Sequence, residues 1–236
     1  MATSGSTNFA TSRDGLINGA LRLVGAIGQG ETGTASQISE AAETLNMMIK
    51  GFTNYGMPLW AVKKYSGVLT TSTAAYNIGL TQTWDTPKPL KIYNAYLHNT
   101  STDVDTPITI ISRQEYLNFS DKTATGTPIN LYYDPQNTYG TVNLYPVPTA
   151  AVASGYVLAI HYQRPFEDFD AAADEPDFPQ EWYEVIKYGL AMRLAGEYGL
   201  ERFARKMLQE EFKYLLDTAQ GFNQEEVSLY FQPASN

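Results

Sequence analysis

Apolar residues change their spacing twice along this chain, and that limits its fold more than any motif does. Near both ends they recur every three or four residues. From about residue 60 to residue 163 they recur every second residue. The first period buries one stripe of a helix and the second buries one face of a strand, so neither segment can adopt the other's structure without exposing its apolar set. The chain therefore reads as helical segments bracketing a β-rich middle.

At the N-terminal end, Leu16, Ala20, Leu23, Val24 and Ile27 form a stripe that predicts a helix from about Ser12, ended by the turn GQGETG. Thr34 and Gln37 have capping-box spacing, in which each side chain covers an orphan N–H of the first turn. The helix they open would bury Ile38, Ala41, Ala42, Leu45, Met48, Ile49 and Phe52 and stop at Gly56 and Pro58. The short link predicts an antiparallel pair. At the other end, Trp182, Ile186, Leu190 and Leu194 mark a third helix, broken by Gly196 and Gly199. Leu208, Phe212, Leu215 and Ala219 mark a fourth, with Glu201 and Arg205 in the favourable i, i+4 order. Before the third helix lies an acidic run: Glu167, Asp168, Asp170, Asp174, Glu175, Asp177, Glu181 and Glu184, with no base until Lys187. It reads as a linker ending in an acidic first turn, with Asp177 or a neighbour as cap.

In the middle, GVLTT and AYNIGL flank a polar turn and predict a hairpin with Tyr76, Ile78 and Leu80 on one face. Leu90 to Leu97 and PITII are further strands. Ser112 and Glu115 repeat the capping-box spacing and predict one or two helical turns. INLYY and TVNLY follow, separated by the turn-rich DPQNTYG. After YPVP and a Gly/Ala/Ser turn comes YVLAIHYQRP, where Tyr156, Leu158, Ile160 and Tyr162 alternate with Val157, Ala159 and His161. Short strands with regular turns suggest a small sandwich or barrel-like β-domain.

Composition narrows the function. With 43% hydrophobic and 17% charged residues, the chain is of the folded type. Its net charge of −9 is the wrong sign for a sequence-reading nucleic-acid binder. There is no cysteine, hence no thiolate chemistry. No run approaches ~18 consecutive apolar residues, so no membrane span is expected. The opening MATSGSTNFATSRDG lacks the basic and apolar regions of a secretory signal. Seventeen tyrosines fit either interfaces or a Tyr-rich sheet. Gly28 to Gly33 match G-x-G-x-x-G, but the preceding stripe is helical and no acid lies between Glu43 and Asp85, so a turn is the better reading. His98 and His161 have no metal-ligand spacing, no G-x-S-x-G elbow exists, and the acidic run lacks a calcium-loop pattern. No catalytic, metal-binding or cofactor-binding residue is assigned, and no enzyme is expected. The alternatives are a β-domain that binds a glycan or host surface, and, behind it, a wall-degrading hydrolase.

The stretch from Ser12 to Phe52, with Ala41, Ala42, Leu45, Asn46 and Met48 followed by Gly56, Pro58, Leu59 and Trp60, resembles the opening of head-to-tail adaptor proteins of short-tailed bacteriophages. That family is also called tail accessory factors or packaged-DNA stabilisation proteins. NLYPVPTAAVASGYVLAIHYQRPFEDF is similar to its strand, Pro-rich turn and strand. PQEWYEVIKYGLAMRLAGEYGL is similar to its third helix, with Trp182, Leu190, Ala191 and a Tyr198-Gly199 end. The resemblance runs over about residues 11–220. It implies a virion protein, assembled in the host cytoplasm and placed at the neck between capsid and tail. The implied partners are the portal protein, a tail tube or nozzle protein, and further copies in a ring of twelve. DNA would pass through the lumen without sequence-specific binding. The expected fold is α+β: an antiparallel bundle of four main helices with a β-rich insertion between the two helix pairs and an extended C-terminal tail. The segments are an arm (1–10), the bundle (11–58 and 178–222), the β-rich insertion with its acidic linker (59–177), and a tail (223–236). Val227, Leu229, Tyr230 and Phe231 are the expected portal-docking residues.

Overall fold

The computed structural model describes residues 3–53 and 59–222. The expected stop at Gly56 and Pro58, and the docking residues Val227, Leu229, Tyr230 and Phe231, lie outside the described residues. The chain divides into two compact units: Met1–Leu59 with Phe166–Asn236, and Trp60–Pro165.

The expected bundle of four main antiparallel helices is not what forms. The protein is β-rich, with one large, nearly closed, mixed eight-stranded sheet and six α-helices among the described residues. In the first unit the helices are α1 (Arg13–Leu23), α2 (Ala35–Phe52), α5 (Tyr183–Leu194) and α6 (Arg202–Phe222). The second holds α3 (Arg113–Leu117) and α4 (Ala150–Gly155). A four-helix bundle needs each helix to turn one stripe toward a shared axis. Here α5 buries Val185, Ile186, Gly189, Leu190, Ala191 and Leu194, which cover about two-thirds of the helix rather than one stripe. It is therefore a central rod, and α1, α2 and α6 each pack on it.

Local signals in the first unit hold where they depend on near neighbours. Thr34 and Gln37 form both arms of the capping box, with the Gln37 amide N–H donating to Thr34 Oγ1 at 3.4 Å and Thr34 N–H to Gln37 Oε1 at 2.9 Å. GQGETG is the turn between α1 and α2, where Gly33 N–H donates to Asn18 Oδ1 at 2.8 Å and no strand precedes it. Asp177, however, caps no helix. Its carboxylate accepts from Glu167 N–H at 3.2 Å, and α5 begins from a 3₁₀ turn, Gln180–Trp182. In α1 the buried set is Leu16, Ile17, Ala20 and Leu21, and Leu23 is only half-buried.

Ten strands form in the second unit: β1 (Val62–Val68), β2 (Ala75–Gly79), β3 (Trp84–Asp85), β4 (Lys91–Asn99), β5 (Val104–Ile110), β6 (Thr125–Gly126), β7 (Asn130–Pro135), β8 (Gly140–Tyr145), β9 (Val147–Pro148) and β10 (Tyr156–Gln163). The large sheet runs β1-β10-β4-β5-β7-β8-β2-β3, and β6 pairs β9. The predicted hairpin across residues 67–80 does not form. β1 pairs β10, and β2 pairs β8. Leu80 accordingly lies exposed rather than beside Tyr76 and Ile78. The predicted Gly/Ala/Ser turn is α4. In β10 Leu158, Ile160 and Tyr162 are wholly buried as expected, but Ala159 on the opposite face is equally buried, and His161 is half-exposed.

Trp84 brings the two ends of that strand order together. It belongs to the last strand, yet its ring stacks on Tyr76 at 4.6 Å and meets Tyr65 of the first strand at 6.1 Å. Its Nε1–H donates to Val68 O at 3.2 Å. Gly67 makes room, since a Cβ there would sit 2.4 Å from Trp84 Cε2. Gly189 does the same in the first unit, where a Cβ would lie 2.8 Å from Phe212 Cε2 and 2.9 Å from Met48 Sδ.

Gly67→Val and Gly189→Leu should therefore each destabilise the protein by about 2–3 kcal/mol or more, because the neighbours are rings and packed side chains. Gly196→Ala, with nothing within 4 Å of its added methyl, should stay within about 0.5 kcal/mol. Denaturant unfolding of the three variants checks this.

Candidate interaction surface

The first unit carries two surfaces that its own packing does not explain. One is the leading half of α6. Toward its end α6 buries Phe212, Leu216 and Ala219, one residue off the Leu215 expected from the stripe, which is half-buried. Its first turns carry a second apolar pair on the opposite side of the helix, Phe203 and Met207, which are 74% and 51% exposed. They border a groove of about 460 Å³ lined by Leu23, Tyr188, Leu200, Ala204, Leu208 and Glu211. Arg202, Arg205 and Lys206 are exposed on the other side of α6. Lys206 reaches Glu210 at 3.6 Å, and Arg205 donates to Leu200 O at 3.4 Å. The predicted Glu201–Arg205 contact is a backbone one: Arg205 N–H donates to Glu201 O at 2.9 Å.

The other surface is the acidic run, which is no free linker. Phe166 and Phe169 are buried. Asn46 of α2 both accepts from Phe169 N–H at 2.9 Å and donates to Phe169 O at 3.1 Å. Lys50 donates to Phe166 O at 2.7 Å and meets Asp168 at 2.8 Å. Arg13 N–H donates to Asp174 O at 2.8 Å. Asp174 Oδ2 closes the tip, accepting from Asp170 N–H at 2.8 Å and Ala171 N–H at 2.6 Å. The result is a strap across the start of α1 and the side of α2. Between its anchors it presents exposed Glu167, Asp170, Ala171, Ala172, Ala173 and Glu175.

The remaining sequence candidates do not combine into a site. His98 contacts Asp105 at 2.8 Å and Asp103 at 3.6 Å, whereas His161 packs on Tyr96 at 5.9 Å. Among the described residues no three metal-ligating side chains gather, and no helix is long and apolar enough to cross a membrane. The outer aromatics of the second unit stack on one another. Phe119 lies on Tyr145 at 3.9 Å, and Tyr116 on Tyr132 at 5.3 Å. Arg113 clamps this cluster through Tyr132 at 2.7 Å and an ion pair with Asp134. Three carboxylates of the second unit are held below their ordinary range. Glu115 is held low by Ser112 N–H and hydroxyl, and Asp121 by the Thr123 hydroxyl and N–H. Burial pushes Asp134 up, but donation from Gln136 and Arg113 outweighs it and leaves it low.

Phe203 and Met207 were not among the residues singled out from sequence. The signal for them was their own i, i+4 spacing, on the side of the helix away from Phe212. It marks one helix face but not whether that face is covered.

The family model described as SU10 adaptor protein matches residues 12–229. No curated protein matches the chain.

Exposed apolar residues contribute little to stability, so Phe203→Ser and Met207→Ser should change unfolding free energy by no more than about 0.5 kcal/mol. Phe212→Ala should cost about 3–5 kcal/mol. Thermal and denaturant unfolding separate the two classes.

Proposed function

We propose, on the premise that the chain belongs to the SU10 adaptor protein family and is thus a bacteriophage structural adaptor protein of the virion, that its copies form a ring beneath the portal, join capsid to tail and help retain packaged DNA. The observation that carries this is the extent of the family match, which takes in both compact units. An exposed apolar helix face beside ordered charge supports a role in assembly, since such faces on soluble proteins mark contacts with partners. The net charge of −9 supports passage of DNA without adhesion, because like charge keeps phosphates from binding. On this reading the protein is no enzyme and needs no cofactor. Twelve copies ring the channel, a tail tube or nozzle protein binds the far face, and Val227, Leu229, Tyr230 and Phe231 dock on the portal as an apolar segment stabilised by its partner.

Electron microscopy of the purified chain mixed with portal rings tests the proposal, with a variant lacking residues 226–236 alongside. The expected result is a ring capping the portal that the truncation loses. Rings that persist in the truncation move docking off the tail. No association with portal at any concentration rejects the head-to-tail role.

A further inference from the structure

The outer side of α6 is uncovered, and the chain that leaves this helix carries a segment that fits it. Phe203, Met207 and Tyr214 are exposed there, and helix geometry places them within about 40° of one another. Phe203 and Met207 line the groove with Leu208, Leu23 of α1 and Tyr188 of α5, and Glu211 is its one charged lining residue. An exposed apolar stripe beside such a groove marks a contact. After Phe222, the last residue of α6, come Val227, Leu229, Tyr230 and Phe231, and no side chain from Val227 to Asn236 is charged. Fifteen helical residues, about 22 Å, separate Phe222 from Met207. The nine residues from 223 to 231 can span up to about 30 Å. A reversal within 223–226 therefore brings the four apolar residues back along the stripe from Tyr214 to Met207. It also leaves Glu225 and Glu226 at the bend, away from Glu211.

We propose that this groove seats residues 227–231 of its own chain before the protein assembles. Both surfaces are apolar, and Glu211 finds donors in the N–H groups of a backbone laid beside it. The segment of the same chain is favoured over another copy's, because its tether holds it near the groove at a far higher concentration than free solution gives. Burial of four side chains is set against the entropy of ordering the segment and its bend, so the docked and undocked forms lie close in free energy. The seat therefore adds little to the unfolding free energy, yet it shields two apolar surfaces that would otherwise draw copies together. The ring reading gives the same four residues to the portal. The inference stands without that reading; where both hold, groove and portal compete for one segment, and assembly begins by drawing it out.

The chain has no cysteine, so Ala204→Cys in the groove and Gln232→Cys just after Phe231 give a pair for a short thiol-to-thiol cross-linker. In the purified chain the product should be a cross-linked monomer whose yield does not change on dilution. The same pair carrying Leu229→Ser, Tyr230→Ser and Phe231→Ser should give about threefold less or lower, since an undocked tether meets the groove only by chance. Phe203→Ser with Met207→Ser should lower the yield as much, in a chain that circular dichroism shows to be folded. Yields that ignore both sets of serines overturn the proposal, because they report a tether that reaches the groove without binding it. Cross-linked dimers in place of monomers, rising with concentration, overturn it in favour of another copy's segment. Adding portal rings separates the seat from the head-to-tail role. A monomer product that falls as portal is added supports the seat and the competition for one segment. An unchanged yield beside rings that cap the portal supports the seat and takes portal docking off these residues. Cross-linking that depends on the apolar residues, with no association with portal, keeps the seat and rejects the head-to-tail role.

Discussion

The first unit depends on the burial of α5. Its buried residues take up about two-thirds of the helix, so one neighbour cannot cover them, and α1, α2 and α6 all pack against it. Gly189 sets how closely two of them come, because Met48 and Phe212 both occupy the space a side chain there would take. Interiors pack at crystal-like density, so a helix crossing this tight fixes the seat of its neighbours to within a few tenths of an ångström. That crossing holds the face of α6 that carries Phe212, and Phe203 and Met207 lie uncovered on the other side of the helix.

The second unit solves a different problem. An open eight-stranded sheet leaves two edges of unpaired backbone, and edges invite pairing with other chains. Trp84 brings the ends of the strand order together over Gly67, with its indole N–H satisfied by Val68 O. The interior then fills with one side chain in two from the longer strands, including Ile92, Leu97, Leu131, Leu144, Leu158 and Ile160. The hydroxyls of Thr86 and Tyr162 pair at 2.7 Å inside it, which removes the cost of burying them singly. The many tyrosines are in this unit chiefly structural, stacking on one another and on Trp84.

The acidic run shows how composition can suggest the wrong physical state. Eight acids without a base read as a solvated linker, and such runs usually are. Here backbone groups bind it down: Asn46 takes both polar groups of Phe169, and Lys50 takes Phe166 O. Order turns a diffuse negative charge into a defined surface. Nothing in the residues from Phe166 to Phe178 announces this, since the anchors Asn46 and Lys50 lie more than a hundred positions away.

The amino-acid sequence by itself determined what near neighbours settle. It set both capping boxes, at Thr34–Gln37 and at Ser112–Glu115, the helical stripe of α2, and the strand at β10 with its row of Leu158, Ile160 and Tyr162, because these depend on hydrogen bonds and spacings within a few residues. Tertiary structure alone decided which strands pair. β1 passes over the adjacent β2 for β10, nearly a hundred residues on, and β5 meets β7 in parallel after the excursion through α3. It also replaced the expected four-helix bundle with helices gathered on α5 and a nearly closed sheet. And it decided that the face of α6 with Phe212 is buried while the opposite face, with Phe203, is exposed. A periodic stripe records that a face can be buried. Whether anything covers it depends on the position of a distant segment, and local spacing carries no record of that.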